Sequence, residues 1–356
     1  MNIQLNEKFV PHAENLLSVL CNKRPEYLPL YEHHIDAPFI SNVLGMQLSS
    51  KGKSPSELED YYAAITKFWA DNTYDAFDFE AAVCDIFPQH GAILGGQGPI
   101  QERRDFEKYP WREIPEIFKK TYTPHLNAIR KVMPHGMKAY GGCGYGIFEA
   151  AQDLVGYEYL CIMQIEEPEL FADLFLKIGE LYETLWTWIL ENYADIFIFC
   201  RMGDDLGHKT STMLSPQIIR EHILPQHKRV IDIVHKFGKK FLMHSCGNIF
   251  CLMDDIIANG IDAKHSNEDV IAPFDKWIEN YSDRIGLMGG IDMNVPILNP
   301  YDVVFKKVLE DAARFRKNAK GYALGSGNSI PDYMSKDGFF AMIDAAKEIR
   351  RREKTS

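Results

Sequence analysis

A histidine and a cysteine two residues apart, His244 and Cys246, form the pair in this sequence with the clearest chemical meaning. Alternate residues of a strand face the same side. In an extended segment an imidazole and a thiolate would therefore reach into one site, and that mixture of nitrogen and sulfur donors suits Zn²⁺. The same spacing occurs where a histidine and a cysteine merely pack in a core, so the neighbouring residues decide. Those neighbours are titratable. Asp204 and Asp205 follow a bulky apolar run, and His265-Ser266-Asn267-Glu268-Asp269 follow another. His265 and Glu268 are further candidate metal ligands. One of Asp204 and Asp205 is expected to face the site; otherwise they cap a helix or lie in an acidic loop. With Glu80 they are the candidate proton donors. Adjacent residues rarely share a face, so at most one of His33 and His34 serves. Cys143 stands between glycines, which leaves room for a substrate or for a small packed thiol.

Eight short apolar runs alternate with stretches of helical period: 27–31, 74–79, 137–142, 195–200, 240–243, 261–264, 285–288 and 321–324. Short buried strands alternating with helices imply a parallel sheet. Eight such units imply an α/β fold, a single (β/α)₈ TIM barrel over residues 25–350. Residues 1–24 read as an N-terminal helical extension and 351–356 as a tail. An open doubly wound sheet is the alternative, weakened because no Gly-rich phosphate turn follows the first run. Ser215-Pro216 opens a helix that ends at Gly238, with a kink expected at Pro225. Leu174, Ile178, Leu181, Leu185 and Ile189 make one core stripe. Residues 86–115, rich in Gly and Pro, read as a functional loop such as a lid.

A barrel of this kind builds its site at the carboxyl ends of its strands. Those ends supply the metal and proton-donor candidates above. They also supply candidate substrate contacts: Glu32, His33, Asp78, Cys143, Tyr145, Arg201, Asp292, Ser326 and Asn328. Such convergence of titratable groups favours catalysis over simple binding.

Of the 356 residues, 46% are hydrophobic and 25% charged, enough for a large core. The net charge is −11, from 39 basic and 50 acidic side chains, and the basic cluster Lys347–Lys354 is short. A phosphate-backbone partner needs a basic surface, so nucleic acid is excluded as a partner. Seven scattered cysteines without a C-x-x-C pair suit a reducing cytoplasm. No apolar run of about 18 residues suggests a membrane span. Self-association into an oligomer is compatible with this composition.

The segments Gly203-Asp204-Asp205, Leu214-Ser215-Pro216, His244-Ser245-Cys246-Gly247, Gly289-Gly290-Ile291-Asp292 and Gly325-Ser326-Gly327 resemble, in order, the uroporphyrinogen decarboxylase superfamily. The resemblance covers roughly residues 25 to 350 and implies the same barrel. It lies closer to the corrinoid-dependent methyltransferase branch than to the true decarboxylases. Those decarboxylases carry an arginine-rich segment near the N-terminus that holds the substrate's acidic side chains. The matching stretch, Arg24 to His34, lacks those arginines, and Arg201 is the one obvious cation among the strand-end residues. The resemblance implies a zinc-dependent methyltransferase that moves a methyl group between a small donor, such as an aryl methyl ether, and a corrinoid protein. No segment resembles a corrinoid-binding module, so cobalamin would arrive on that partner. The thiol-methylating members carry a further cysteine ligand after the last strand, where this chain has Ser326. Glu268, His265 or Cys143 would then replace it. With fewer thiolates zinc is a stronger Lewis acid, which favours an ether or hydroxyl oxygen over a thiol substrate. A tetrapyrrole decarboxylase and a non-catalytic tetrapyrrole- or corrinoid-binding barrel are the alternatives.

Overall fold

The structure, a computed structural model, describes residues 9–355. Strands and helices alternate along the chain. Seven strands form one sheet in chain order: β1 (Ala76–Ala82), β2 (Lys138–Gly144), β3 (Phe197–Gly203), β4 (Phe241–His244), β5 (Ala263–His265), β6 (Gly286–Ile291) and β7 (Tyr322–Ser326). The pairs β3–β4, β4–β5 and β6–β7 are parallel.

The expected count of eight strands is corrected at the first apolar run. Residues 27–31 give only a single parallel bridge, Leu30 with Leu324. Tyr31 N donates to the Leu324 carbonyl, and Leu324 N donates to the Pro29 carbonyl. Pro29 has no N–H with which to lengthen the ladder. The other seven runs are strands. Each begins one or two residues later than its apolar run and ends one to three residues later. The backbone stays extended after the apolar pattern stops, because polar residues occupy the strand ends.

The chain divides into two compact units. One comprises Met1–Asp78, His125–Tyr140 and Phe274–Ser356. Its core contains Leu28, Phe39, Phe68, Trp69, Tyr322 and Phe339, all buried. Of the expected leading helices, Ala13–Leu20 is present, and residues 1–8 lie outside the described residues. The last helix, Lys336–Thr355, runs through the segment read as a tail.

The other unit comprises Phe79–Pro124 and Gly141–Pro273. Its long helix Pro168–Tyr193 buries all five residues of the stripe read from the sequence. Ser215 caps its helix by accepting from Ile218 N. The kink expected at Pro225 is a π-helical turn, Ile219–Ile223, leading into the helix Leu224–Lys236. Pro225 cannot donate a helical hydrogen bond, and its ring crowds the preceding turn, so the backbone widens there. The following residues Gln226 and His227 are buried. The loop after β1 is tethered. Asp153 accepts from Gly91 N at 2.8 Å and Ile93 N at 3.1 Å, and the Gln101 amide donates to the Val155 carbonyl. Among the described residues no helix is long and apolar enough to cross a membrane.

Candidate metal centre

The ends of β3, β4 and β5 all lie in the second unit and carry the central group. β3 delivers Arg201 and leads into Asp204 and Asp205. β4 ends at His244, with Cys246 two residues beyond. β5 carries Lys264 and His265. Register places Gly203 beside His244 and His244 beside His265.

Two glycines let the loops after β3 and β4 touch backbone to backbone. A Cβ on Gly207 would lie 2.8 Å from the Cys246 carbonyl oxygen, and one on Gly247, at φ +81°, would lie 2.1 Å from the Gly207 backbone. Only glycine allows that approach. The contact is fastened by Cys246 N, which donates to Asp205 Oδ1 at 2.9 Å, and by Asn248 N, which donates to the His208 carbonyl at 2.7 Å.

Three donor atoms of different kinds then converge. Cys246 Sγ lies 3.4 Å from His244 Nε2, and Asp205 Oδ1 lies 3.7 Å from the same nitrogen. All three lie within 4.8 Å of one another. Ligands of one tetrahedral zinc, bound at about 2.0–2.3 Å, sit roughly 3.3–3.6 Å apart. The donor set and its spacing therefore fit a zinc ion with three protein ligands. His244 is almost fully buried, while the Asp205 side chain is 44% exposed, which leaves the group an open side. The other ring nitrogen, His244 Nδ1, meets His265 Nδ1 at 2.7 Å. That contact orients the imidazole from behind, as outer partners of metal-binding histidines do. Glu268 is half-buried, its carbonyl takes Ile271 N and Ala272 N, and it does not join the converging group.

The electrostatics depend on burial. It pulls His244 well below the usual histidine range, so the imidazole is neutral and has a lone pair to offer. It pushes the Cys246 thiol up, and the Asp205 charge adds to the effect; a bound dication would reverse this. Lys264 is fully buried and brought down to about 7, again by burial, against the opposing charges of Cys246, Asp205 and Glu268. Its ammonium donates to the carbonyl of Ser266, a non-glycine residue at φ +92°. Ser266 Oγ in turn donates to Cys246 Sγ at 3.5 Å. Lys264 thus supports a strained residue whose hydroxyl touches the sulfur.

Asp204 and Glu80 sit nearby with their charges engaged. Asp204 is fully buried and accepts from Phe148 N and Glu149 N, at the start of the helix Ile147–Val155. It also meets His227 Nε2 at 2.6 Å. Glu80 forms an ion pair with the buried Arg201 at 2.6 Å. Gly144 and Gly146 make room for both, since a Cβ at either would collide with Glu80 or Asp204 respectively. Between them Tyr145 is half-buried at φ +60°, and Cys143 is a fully buried thiol whose pKa burial pushes well up.

Glu149, His227, Lys264 and Ser266 were not singled out from the sequence. Burial, reinforced by Asp204 and Asp205, raises Glu149 far above the carboxylate range, so it is a neutral acid. The Gly-Tyr-Gly step before its helix is the signal that marks its position.

The remaining strand-end candidates belong to the first unit. Glu32 is fully buried; Ser326 N donates to it, and its oxygen lies 2.5 Å from Ser326 Oγ. Ser326 Oγ also donates to the Asn328 carbonyl at 2.6 Å, and Tyr140 OH donates to the Glu32 carbonyl at 2.5 Å. Burial holds Glu32 up at about 8. Asp78 meets His34 Nδ1 at 2.6 Å, and His33 is half-buried. Asp292 accepts from Asn294 N at 2.8 Å.

A family model described as Uroporphyrinogen decarboxylase (URO-D) matches residues 91–349. Among solved structures the chain is similar to a methyltransferase from Methanosarcina mazei. The TM-score is 0.76 at 14% identity, over 95% of this chain and 99% of that one, and the two share a fold. Two further structures overlap more loosely. A glycoside hydrolase family 5 enzyme from Prevotella bryantii B14 has TM-score 0.45 and 10% identity, over 96% of this chain and 100% of that one. An intracellular xylanase from Thermoanaerobacterium saccharolyticum has TM-score 0.45 and 11% identity, over 94% and 99%. No curated protein matches the chain. By the extent of the family match and the order of its motifs, the chain belongs to the uroporphyrinogen decarboxylase family.

Proposed function

We propose that this protein is a zinc-dependent methyltransferase that moves a methyl group between an aryl methyl ether and a corrinoid protein. One observation carries the reading: Asp205, His244 and Cys246 bring an oxygen, a nitrogen and a sulfur to ligand spacing with one side open. These three residues would hold the zinc. Bound there, the ion supplies Lewis acidity to a donor oxygen.

The protein's own groups do the rest. His265 holds the His244 ring, and Ser266, braced by Lys264, holds the sulfur. A single thiolate in the set supports an oxygen substrate over a thiol. Ser326, which stands where thiol-methylating members have a further cysteine, is engaged by Glu32 and the Asn328 carbonyl. An aryl oxide leaving the methyl group needs a proton. Asp204 is spent on the helix start and on His227, and Glu80 is spent on Arg201. Glu149 is the proton donor in this scheme: its Oε2 accepts from Gly146 N at 2.9 Å, and burial holds the carboxyl neutral. The pairing of Arg201 also weighs against a tetrapyrrole substrate, whose many carboxylates need uncommitted cations.

The test is direct. Zinc-loaded protein is given an aryl methyl ether such as anisole or a methoxybenzoate together with reduced cobalamin. Methylcobalamin and free phenol are the expected products. Formation of coproporphyrinogen from uroporphyrinogen, with no methylcobalamin from any ether, would contradict the reading.

A further inference from the structure

Tyr145, the residue that follows β2, holds a backbone conformation that belongs to glycine. Its φ is +60°. A bulky side chain makes that left-handed region costly, whereas glycine adopts it freely. Such strain persists only where the surroundings enforce it. Here a Cβ on Gly144 would lie 1.9 Å from Glu80 Cγ, and one on Gly146 would lie 2.1 Å from the Asp204 side chain. The chain is therefore threaded between two acids, and in the step Gly144-Tyr145-Gly146 only the central residue keeps a side chain.

That side chain fastens nothing. Among the described residues its hydroxyl takes part in no hydrogen bond, and its ring meets no other aromatic ring and no cation. Other tyrosines of the same unit are engaged. Tyr122 OH donates to the Ala82 carbonyl at 2.8 Å and its ring packs on Phe118 at 5.0 Å or less between centroids, and Tyr182 OH donates to the Gly146 carbonyl at 3.3 Å. Tyr145 also stands among the reactive groups. Burial, and then the charges of Cys84, Asp85, Glu80 and Glu149, raise its phenol above the ordinary tyrosine range. Glu80 is the partner of Arg201, and Asp204 and Asp205 act on Glu149 in turn. A half-buried aromatic ring, held at a strained residue and left without a ring partner, is a surface prepared for another ring.

We propose that the ring of Tyr145 is the platform on which the aromatic part of the substrate rests. This rests on the aryl methyl ether reading and adds the contact that selects an aryl group over an alkyl one. A donor oxygen within reach of Glu149 brings its attached ring beside Tyr145. Offset or edge-to-face packing of two rings then adds to simple burial. The strain is the means by which the ring is held ready.

The experiment follows binding of para-fluorophenol by fluorine NMR to the zinc-loaded full chain and to its Tyr145→Phe and Tyr145→Gly variants. The parent should bind with a dissociation constant on the order of 1 mM, and cyclohexanol should displace the probe about tenfold less well than phenol. Tyr145→Phe keeps the ring and should bind within about twofold of the parent. Tyr145→Gly should bind about tenfold more weakly. It should still melt within about 2 °C of the parent, because glycine relieves the strained φ. In methyl transfer from anisole it should raise KM about tenfold with kcat little changed. No binding of the probe up to about 10 mM, unchanged binding in Tyr145→Gly, lost binding in Tyr145→Phe, a glycine variant melting far below the parent, or equal displacement by cyclohexanol would overturn the platform. Ring-dependent binding without methylcobalamin from anisole would sustain the platform and contradict the methyl-transfer reading. Methylcobalamin formed equally well by the parent and Tyr145→Gly would do the reverse.

Discussion

The two units place the same kinds of residue at their strand ends, to opposite effect. In the second unit Asp205, His244 and Cys246 bring an oxygen, a nitrogen and a sulfur within 4.8 Å of one another on a side that stays open. In the first unit Glu32, Ser326 and Asn328 close on themselves. Ser326 Oγ has one proton and lies 2.5 Å from Glu32 and 2.6 Å from the Asn328 carbonyl. A carbonyl can only accept, so the proton of the shorter contact belongs to Glu32, consistent with burial holding that acid near 8. Carboxylates, hydroxyls and imidazoles at strand ends mark a reactive centre only where their lone pairs converge unspent. Where they satisfy one another they fasten the fold.

That contrast can be broken by substitution, and the largest effect should come from a residue on the reactive side that behaves like the spent kind. Asp204→Ala strands a buried histidine and uncaps a helix. It should cost about 3–5 kcal/mol of stability, seen as a large fall in melting temperature, with zinc retained by whatever protein remains folded. Loss of zinc at unchanged stability would instead make Asp204 a ligand. His265→Ala removes the outer partner of His244. It should weaken zinc about 10- to 100-fold, as measured on folded protein by competition with a chromogenic chelator, besides the stability cost of truncating a fully buried side chain. Ser326→Ala should show only the second effect: a stability loss of about 1–3 kcal/mol with zinc affinity unaltered.

The smallest effect is a slope. The ordinary glutamate value is 4.5, and Glu32 in the folded chain titrates near 8. Between those values the native protein keeps a proton that the unfolded chain has released. Stability is therefore lost as pH rises from about 4.5 to about 8. Glu32→Gln should flatten that part of the denaturation profile. An unchanged slope in the variant would remove the neutral-acid assignment.

Much of this was legible in the sequence. The apolar runs 195–200, 240–243 and 261–264 identified β3 to β5, and period-two alternation put His244 and Cys246 on one side. The eighth strand failed because an apolar run carries no record of how many ladder donors it owns, and Pro29 removes one. Which of two adjacent aspartates faces the centre is set by the backbone contact of Gly207 with Gly247, between segments about forty residues apart in the chain. Glu149 and His227 lie on helices, and their roles appear only once Asp204 is seen to join them. Lys264 sits within a short apolar strand, where a lysine reads as a residue reaching out to solvent; here it is fully buried and turned back on the chain.

The central claim is that Asp205, His244 and Cys246 hold one metal ion. Elemental analysis of the purified chain, beside its His244→Ala and Cys246→Ala variants at matched far-UV circular dichroism, tests it most directly. The account predicts close to one zinc per chain in the parent and nearly none in either variant. A parent without zinc after exposure to it, or variants that retain a full equivalent, would contradict it.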